Sequence, residues 1–190
     1  MTEIICVIDK SGSMWSIKDD AIGGFNAFLE DQKALPGEAN MTVVLFDTKY
    51  VFYAEGKNIQ DVTPLNENTY IPGGYTALLD AVGTTIDKTI ERLAGKDTPV
   101  LMVILTDGHE NASHEYSRDQ IISRIKHQTE AAKWEFKYLG ANQDAFAEAG
   151  KLGIAIQDAL NFSATSAGLR SAYKSVSCMT TSFRTDSGGN

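Results

Sequence analysis

The chain is poor in the residues that staple, stiffen or ligate. In 190 residues it has two cysteines, four prolines and three histidines. Cys6 and Cys178 lie far apart, the first inside an apolar segment. Packed free thiols in a reducing, cytoplasmic compartment are therefore expected rather than a disulfide framework. His109, His114 and His127 have no spacing that makes a zinc site. No apolar run approaches the ~18 to 20 residues that cross a bilayer. Met1-Thr2-Glu3 leads straight into strand-like sequence, with no basic segment or small-residue cleavage site, so a secretory signal is not expected. Positive charge is short as well: 17 Lys and Arg face 25 Asp and Glu, a formal net charge of -8. With no basic cluster to offset that balance, nucleic acid and membrane are excluded as partners. A phosphate-binding Gly-x-x-x-x-Gly-Lys-Ser/Thr loop, a dinucleotide glycine triplet and a Gly-x-Ser-x-Gly elbow are all missing.

What the chain does have is 43% hydrophobic residues, enough for the core of one domain. That domain is expected over residues 1–184, with 185–190 as a flexible tail. Apolar segments of two periods alternate along it. Ile4 to Ile8, Met41 to Phe46, Tyr50 to Tyr53, Val100 to Leu105, Trp134 to Leu139 and Leu160 to Phe162 read as strands. Helical spacing runs through Ile17, Ala21, Ile22, Phe25, Phe28 and Leu29, and through Leu78, Leu79, Val82, Ile86, Ile90 and Leu93. It recurs at Ile121, Ile122 and Ile125, around Phe146, and in a closing helix with Leu169, Tyr173 and Val176. This alternation predicts an α/β fold: a doubly wound, mostly parallel, Rossmann-like sheet with helices on both faces. Asp47-Thr48-Lys49 is too short to join parallel strands, so one edge strand is expected to be antiparallel.

Three loops carry the chemistry. The first strand runs into Asp9-Lys10-Ser11-Gly12-Ser13, a carboxylate and two hydroxyls in an Asp-x-Ser-x-Ser array. Gly12 is expected to let the loop fold tightly enough to turn both hydroxyls inward. Pro72-Gly73-Gly74-Tyr75-Thr76 places a hydroxyl at the mouth of a helix, as cap or as ligand. Val100 to Leu105 ends in Thr106-Asp107-Gly108. In open parallel sheets ligands bind outside the carboxyl ends of the strands, where Asp9 and Asp107 both belong. Oxygen donors with few charges suit a hard divalent cation that keeps positions open, Mg2+ or Mn2+ before Ca2+.

This set resembles the metal-ion-dependent adhesion site of von Willebrand factor A (vWA) domains, in order and spacing, over almost the whole chain. The likeness is to stand-alone bacterial or phage proteins of this type, such as those associated with tellurite resistance. It implies that Asp9, Ser11, Ser13, Thr76 and Asp107 form the metal shell, Asp107 through water. It also implies that a partner protein's Asp or Glu completes the coordination. A metal-dependent protein-binding module, not an enzyme, is the expectation. The alternative is an Mg-dependent phosphoryl-transfer enzyme, phosphatase- or receiver-like, with Asp9 as acceptor. Ser11 stands where such phosphatases resemble Asp-x-Asp-x-Thr, and a hydroxyl is too weak an acid to replace the second Asp. Of the residues around the loops, Asp80 is expected to support them by hydrogen bonding. Trp15 and Met14 are expected to pack against the first helix. Tyr75 is as well placed for packing as for a partner, and His109 and Glu110 read at least as well as an exposed loop after a strand as they do as the rim of the site.

Overall fold

The computed structural model describes residues 1–141 and 144–187. Six strands form one sheet in the order β3-β2-β1-β4-β5-β6. They are β1 (Thr2–Asp9), β2 (Ala39–Phe46), β3 (Tyr50–Asn58), β4 (Val100–Thr106), β5 (Glu135–Ala141) and β6 (Ala159–Phe162). All neighbours are parallel except β2 and β3, whose antiparallel pairing puts the expected reversed strand at one edge. The helices are α1 (Lys18–Lys33), α2 (Leu78–Leu93), α3 (Arg118–Ala131), α4 (Ala145–Gly150) and α5 (Ser166–Ser187).

β1 and β4 are buried along their whole lengths, so both faces of each strand must be covered. Alternate residues of β1 divide between the two layers. Ile4, Cys6 and Ile8 meet Phe25, Phe28 and Leu29 of α1 and Leu169 and Tyr173 of α5. Ile5 and Val7 meet Val82 and Ile86 of α2 and Ile121 and Ile125 of α3. A strand has period two, so one apolar run serves both layers.

The helices differ from expectation at two places. Ile90 is exposed, and Thr89 takes the buried position on α2, its hydroxyl donating to the Thr85 carbonyl at 2.7 Å. A threonine satisfied by its own helix is as buriable as an apolar residue, which a count of apolar positions does not register. α5 continues through Thr185 to Ser187, where a frayed tail was expected; residues 188–190 lie outside the described residues. Arg184 anchors that last turn. It is buried and donates to the carbonyls of Gln32 and, at 3.0 Å, Gly37, at the carboxyl end of α1. Cys6 is a buried free thiol and Cys178 an exposed one. No helix among the described residues is long and apolar enough to cross a membrane.

Candidate metal centre

The parallel strands β1 and β4 are adjacent, with Ile8 opposite Leu105, so Asp9 and the Thr106-Asp107-Gly108 turn emerge side by side. The third loop is drawn in by backbone hydrogen bonds. Gly12 N–H donates to the Gly74 carbonyl at 3.1 Å and Gly73 N–H to the Lys10 carbonyl at 2.8 Å. The structure therefore brings all five expected residues to one place.

Asp9 is 0% exposed. Its Oδ1 accepts the Ser11 N–H at 2.6 Å and its Oδ2 the Thr106 hydroxyl, also at 2.6 Å. Ser11 Oγ lies 3.2 Å from Ser13 Oγ, and Ser13 donates to Asp107 Oδ1 at 2.6 Å. Thr76 is buried with its hydroxyl facing Gly108: a Cβ added there would come within 2.8 Å of Thr76 Oγ1 and 3.7 Å of Ser13 Oγ. Thr76 is not the cap of α2. That helix starts after Ala77, and its first N–H groups are met from the neighbouring loop. Glu110 Oε2 accepts Leu79 N–H at 2.9 Å and Ser113 Oγ accepts Asp80 N–H at 3.1 Å.

The expectation for Gly12 needs correction. A Cβ there would meet only the Gly74 carbonyl, at an ordinary 3.5 Å. The tight positions are Gly108 and Gly74. Gly74 has φ +68° and would bring a Cβ within 2.8 Å of Thr48 Oγ1. Trp15 also departs from expectation. Gly12–Ile17 forms a 3-10 turn, whose three-residue repeat turns Met14 and Ile17 into the core and leaves Trp15 61% exposed. Asp80 does support the site, its carboxylate accepting the N–H groups of His114, Glu115 and Tyr116. Glu110 is neither at the rim nor in a free exposed loop: its carboxylate folds inward as the α2 cap. His109 is exposed and lies 3.6 Å from Glu148.

Several positioning residues were not found from sequence. Thr106 stands out in sequence only as part of its motif, yet its hydroxyl holds Asp9 Oδ2. The buried Tyr70 donates from its hydroxyl to the Asp9 carbonyl at 2.6 Å. Asn111 clasps Thr76 in both directions: Thr76 N–H donates to Asn111 Oδ1 at 2.9 Å, and Asn111 N–H to the Thr76 carbonyl at 3.0 Å. Lys10, next to Asp9 in sequence, pairs with Asp47. Amides and hydroxyls in loops are common, and only their partners distinguish these.

Burial pushes the Asp9 carboxyl up to about 6; the Thr106 and Ser11 hydrogen bonds oppose this and the nearby Asp107 reinforces it. Burial likewise raises Asp107, against the Ser13 hydrogen bond. Among the described residues no Lys, Arg or His pairs with either carboxylate, since the nearest cation in sequence is committed to Asp47. Two poorly solvated carboxylates, three hydroxyls and no nitrogen or sulfur donor form a set that fits a hard divalent cation. No three His, Cys, Asp or Glu side chains gather among the described residues, so the charge here stays low.

No family model and no curated sequence matches the chain at a significant level. Solved structures do. Proximal thread matrix protein 1 from the mussel byssus superposes with a TM-score of 0.66 at 18% identity, over 93% of this chain and 47% of that one. This chain thus spans about half the length of that protein, for which a structure with a zinc occupied MIDAS motif also matches. The ArnB paralog VWA2 from Sulfolobus acidocaldarius gives a TM-score of 0.61 at 20% identity, covering 90% and 43% of the two chains. Manganese-loaded TRAP protein from Plasmodium vivax gives 0.63 at 15% identity, covering 91% and 73%. Strand order, the single reversed edge strand and these superpositions agree that the chain has the fold of the von Willebrand factor A domains.

Proposed function

We propose that this protein is a metal-dependent protein-binding module, working in a reducing cytoplasm where Cys6 and Cys178 stay unpaired. The observation that carries the reading is the convergence of Asp9, Ser11, Ser13, Thr76 and Asp107 at one end of the sheet, with two poorly solvated carboxylates that no Lys, Arg or His among the described residues pairs with. Asp9, Ser11, Ser13 and Thr76 would hold Mg2+ or Mn2+, with Asp107 acting through water. When bound, such an ion supplies a position for a carboxylate oxygen of a partner, so an Asp or Glu is selected at one place. The zinc and manganese of the two structural neighbours are compatible with a divalent site of this type.

Asp9 as a phosphoryl acceptor is the weaker reading. Its carboxylate is fully buried and both oxygens already accept hydrogen bonds, which suits an anchor and hinders attack on a phosphorus atom.

The test has two parts. Titration calorimetry with Mg2+ and Mn2+ on the wild type and Asp9→Asn should give binding to the wild type alone. A pull-down from host lysate with the same two proteins, in Mg2+ and in chelator, should capture a partner only with wild type and metal. Metal binding that is unchanged in Asp9→Asn would sink the assigned shell. Metal-dependent turnover of a generic phosphoester, lost in Asp9→Asn, would replace the module with an enzyme.

A further inference from the structure

Large apolar side chains are exposed where the loops meet. Among the described residues eight are exposed, and five of them, Trp15, Val51, Ile71, Tyr75 and Phe146, lie at the end of the sheet that carries the site. Two lie next to the proposed shell in sequence, and a third adjoins a residue that holds it. Tyr75, 69% exposed, immediately precedes Thr76; Trp15, 61% exposed, follows Ser13 by two residues; Ile71, 55% exposed, follows Tyr70, whose hydroxyl holds the Asp9 carbonyl. Tyr75 and Trp15 both sit on anchored backbone. The Tyr75 N–H donates to Thr48 Oγ1 at 2.9 Å, the Trp15 turn is held by buried Met14 and Ile17, and the Gly12 and Gly73 backbone bonds tie the two loops together.

Charge adds a direction to this surface. The Lys18 ammonium lies 5.4 Å from the centre of the Trp15 ring and donates to the Glu67 carbonyl at 3.3 Å. Unlike Lys10, it has no carboxylate partner among the described residues. Aromatic groups left exposed on fixed backbone, beside an uncompensated cation, form the kind of surface that anchors a protein segment.

Resting on the metal-site reading above, we infer that the site takes an exposed segment of a partner protein in which the metal-binding Asp or Glu has a large apolar residue one or two positions away. That apolar side chain lies against Trp15 and Tyr75. Acidic residues on the Lys18 side of the segment are favoured and basic ones are disfavoured. The carboxylate gives the segment its register, and the rim distinguishes it from every other surface acid.

The experiment is a selection of random peptides displayed on phage, performed on wild type and on the double variant Trp15→Ser, Tyr75→Ser, each in Mg2+ and in chelator. Mn2+ calorimetry on both proteins runs beside it. The expected result is Mg2+-dependent enrichment of peptides that carry an acid next to a large apolar residue. The double variant should bind Mn2+ like wild type but lose the apolar preference, with synthetic copies of the selected peptides binding about tenfold or more weakly. Four outcomes overturn the inference. Enrichment of acids without apolar neighbours leaves the metal reading standing and removes the rim. Identical peptides from wild type and double variant do the same. Normal Mn2+ binding with no Mg2+-dependent enrichment shows that the site does not select a peptide acid, and silent calorimetry on wild type removes the metal reading and the inference with it.

Discussion

Asp9 does two jobs that conflict without a cation beside it. It organises the loop by accepting from Ser11 and Thr106, and to do so it is taken out of water. Its folded carboxyl, raised to about 6 from an ordinary value of 3.8, binds a proton more readily than in the unfolded chain. The stability that this gives is fully present below the unfolded value and is lost as pH rises through about 6. Asp107 is raised by burial too and pulls in the same direction. Thermal unfolding in chelator should therefore show wild type losing stability relative to Asp9→Asn between about pH 4 and 7, by up to ~3 kcal/mol. Adding Mg2+ at pH 7 should restore wild type and leave Asp9→Asn unmoved. A flat difference across that range would mean that Asp9 keeps more water than its burial implies. The neighbouring Lys10 does not relieve Asp9, because it is spent on Asp47, whose own carbonyl accepts the Ala77 N–H at 3.1 Å.

Whole elements are placed by a few carboxylates acting on backbone. The loop from Asp107 to Ser117 has no regular structure, yet Glu110 and Asp80 clamp it to the start of α2 from opposite directions. Asp80→Ala strands three backbone donors, and part of that loss is recovered by water, so a cost of about 1–3 kcal/mol is expected. Hydrogen exchange should speed up at His114 to Tyr116 while β1 and β4 stay protected. Exchange unchanged in the loop would show that Glu110 alone holds it.

The second such junction is the packing of α5 on α1. Gly24 admits the Tyr173 ring so closely that a Cβ would lie 2.3 Å from one ring carbon and 2.7 Å from another. Gly24→Ala has a helix-propensity gain of up to about 1 kcal/mol in its favour. The ring is buried and the crowded atoms lie near its base rather than at a flexible tip, so the clash outweighs the gain and a net loss of about 1–3 kcal/mol is expected in denaturant titration. A stabilised variant would mean that α5 shifts freely on α1.

Across the whole molecule the two ends of the sheet divide the work. The carboxyl ends of the parallel strands gather polar groups into an open site, while the other end carries an ion pair between a buried Glu3 and a partly exposed Arg92. Glu3 is 0% exposed, and Arg92 of α2 reaches it through two nitrogens, at 2.5 and 3.1 Å, with the Thr42 hydroxyl donating at 2.8 Å. Removing one partner of such a pair leaves a carboxylate in the core, so Arg92→Ala should destabilise the protein by about 3 kcal/mol. Calorimetry on the folded variant should find Mn2+ affinity unchanged, because the Glu3 carboxylate is held by Thr42 and Arg92, far from the site at the other end of β1. A change in affinity would show that the two ends are coupled through β1.

The sequence alone determined the strand and helix order, the reversed edge strand and the five candidate ligands. Each of these is written in a local pattern: period two or 3.6 in apolar residues, a three-residue hairpin link, an acid or hydroxyl just past a strand end. Tertiary structure decided what local pattern does not carry. Tyr70 and Thr106 meet Asp9 across 61 and 97 residues of chain, and Ser13 meets Asp107 across 94. Asn111 looks like any loop amide until the fold sets it against Thr76. Trp15 reads as core by composition, yet the 3-10 turn points it outward. A hydrogen bond depends on ångström-scale placement of two groups, and that placement is fixed only when the strands pair and the loops at their carboxyl ends are pressed together.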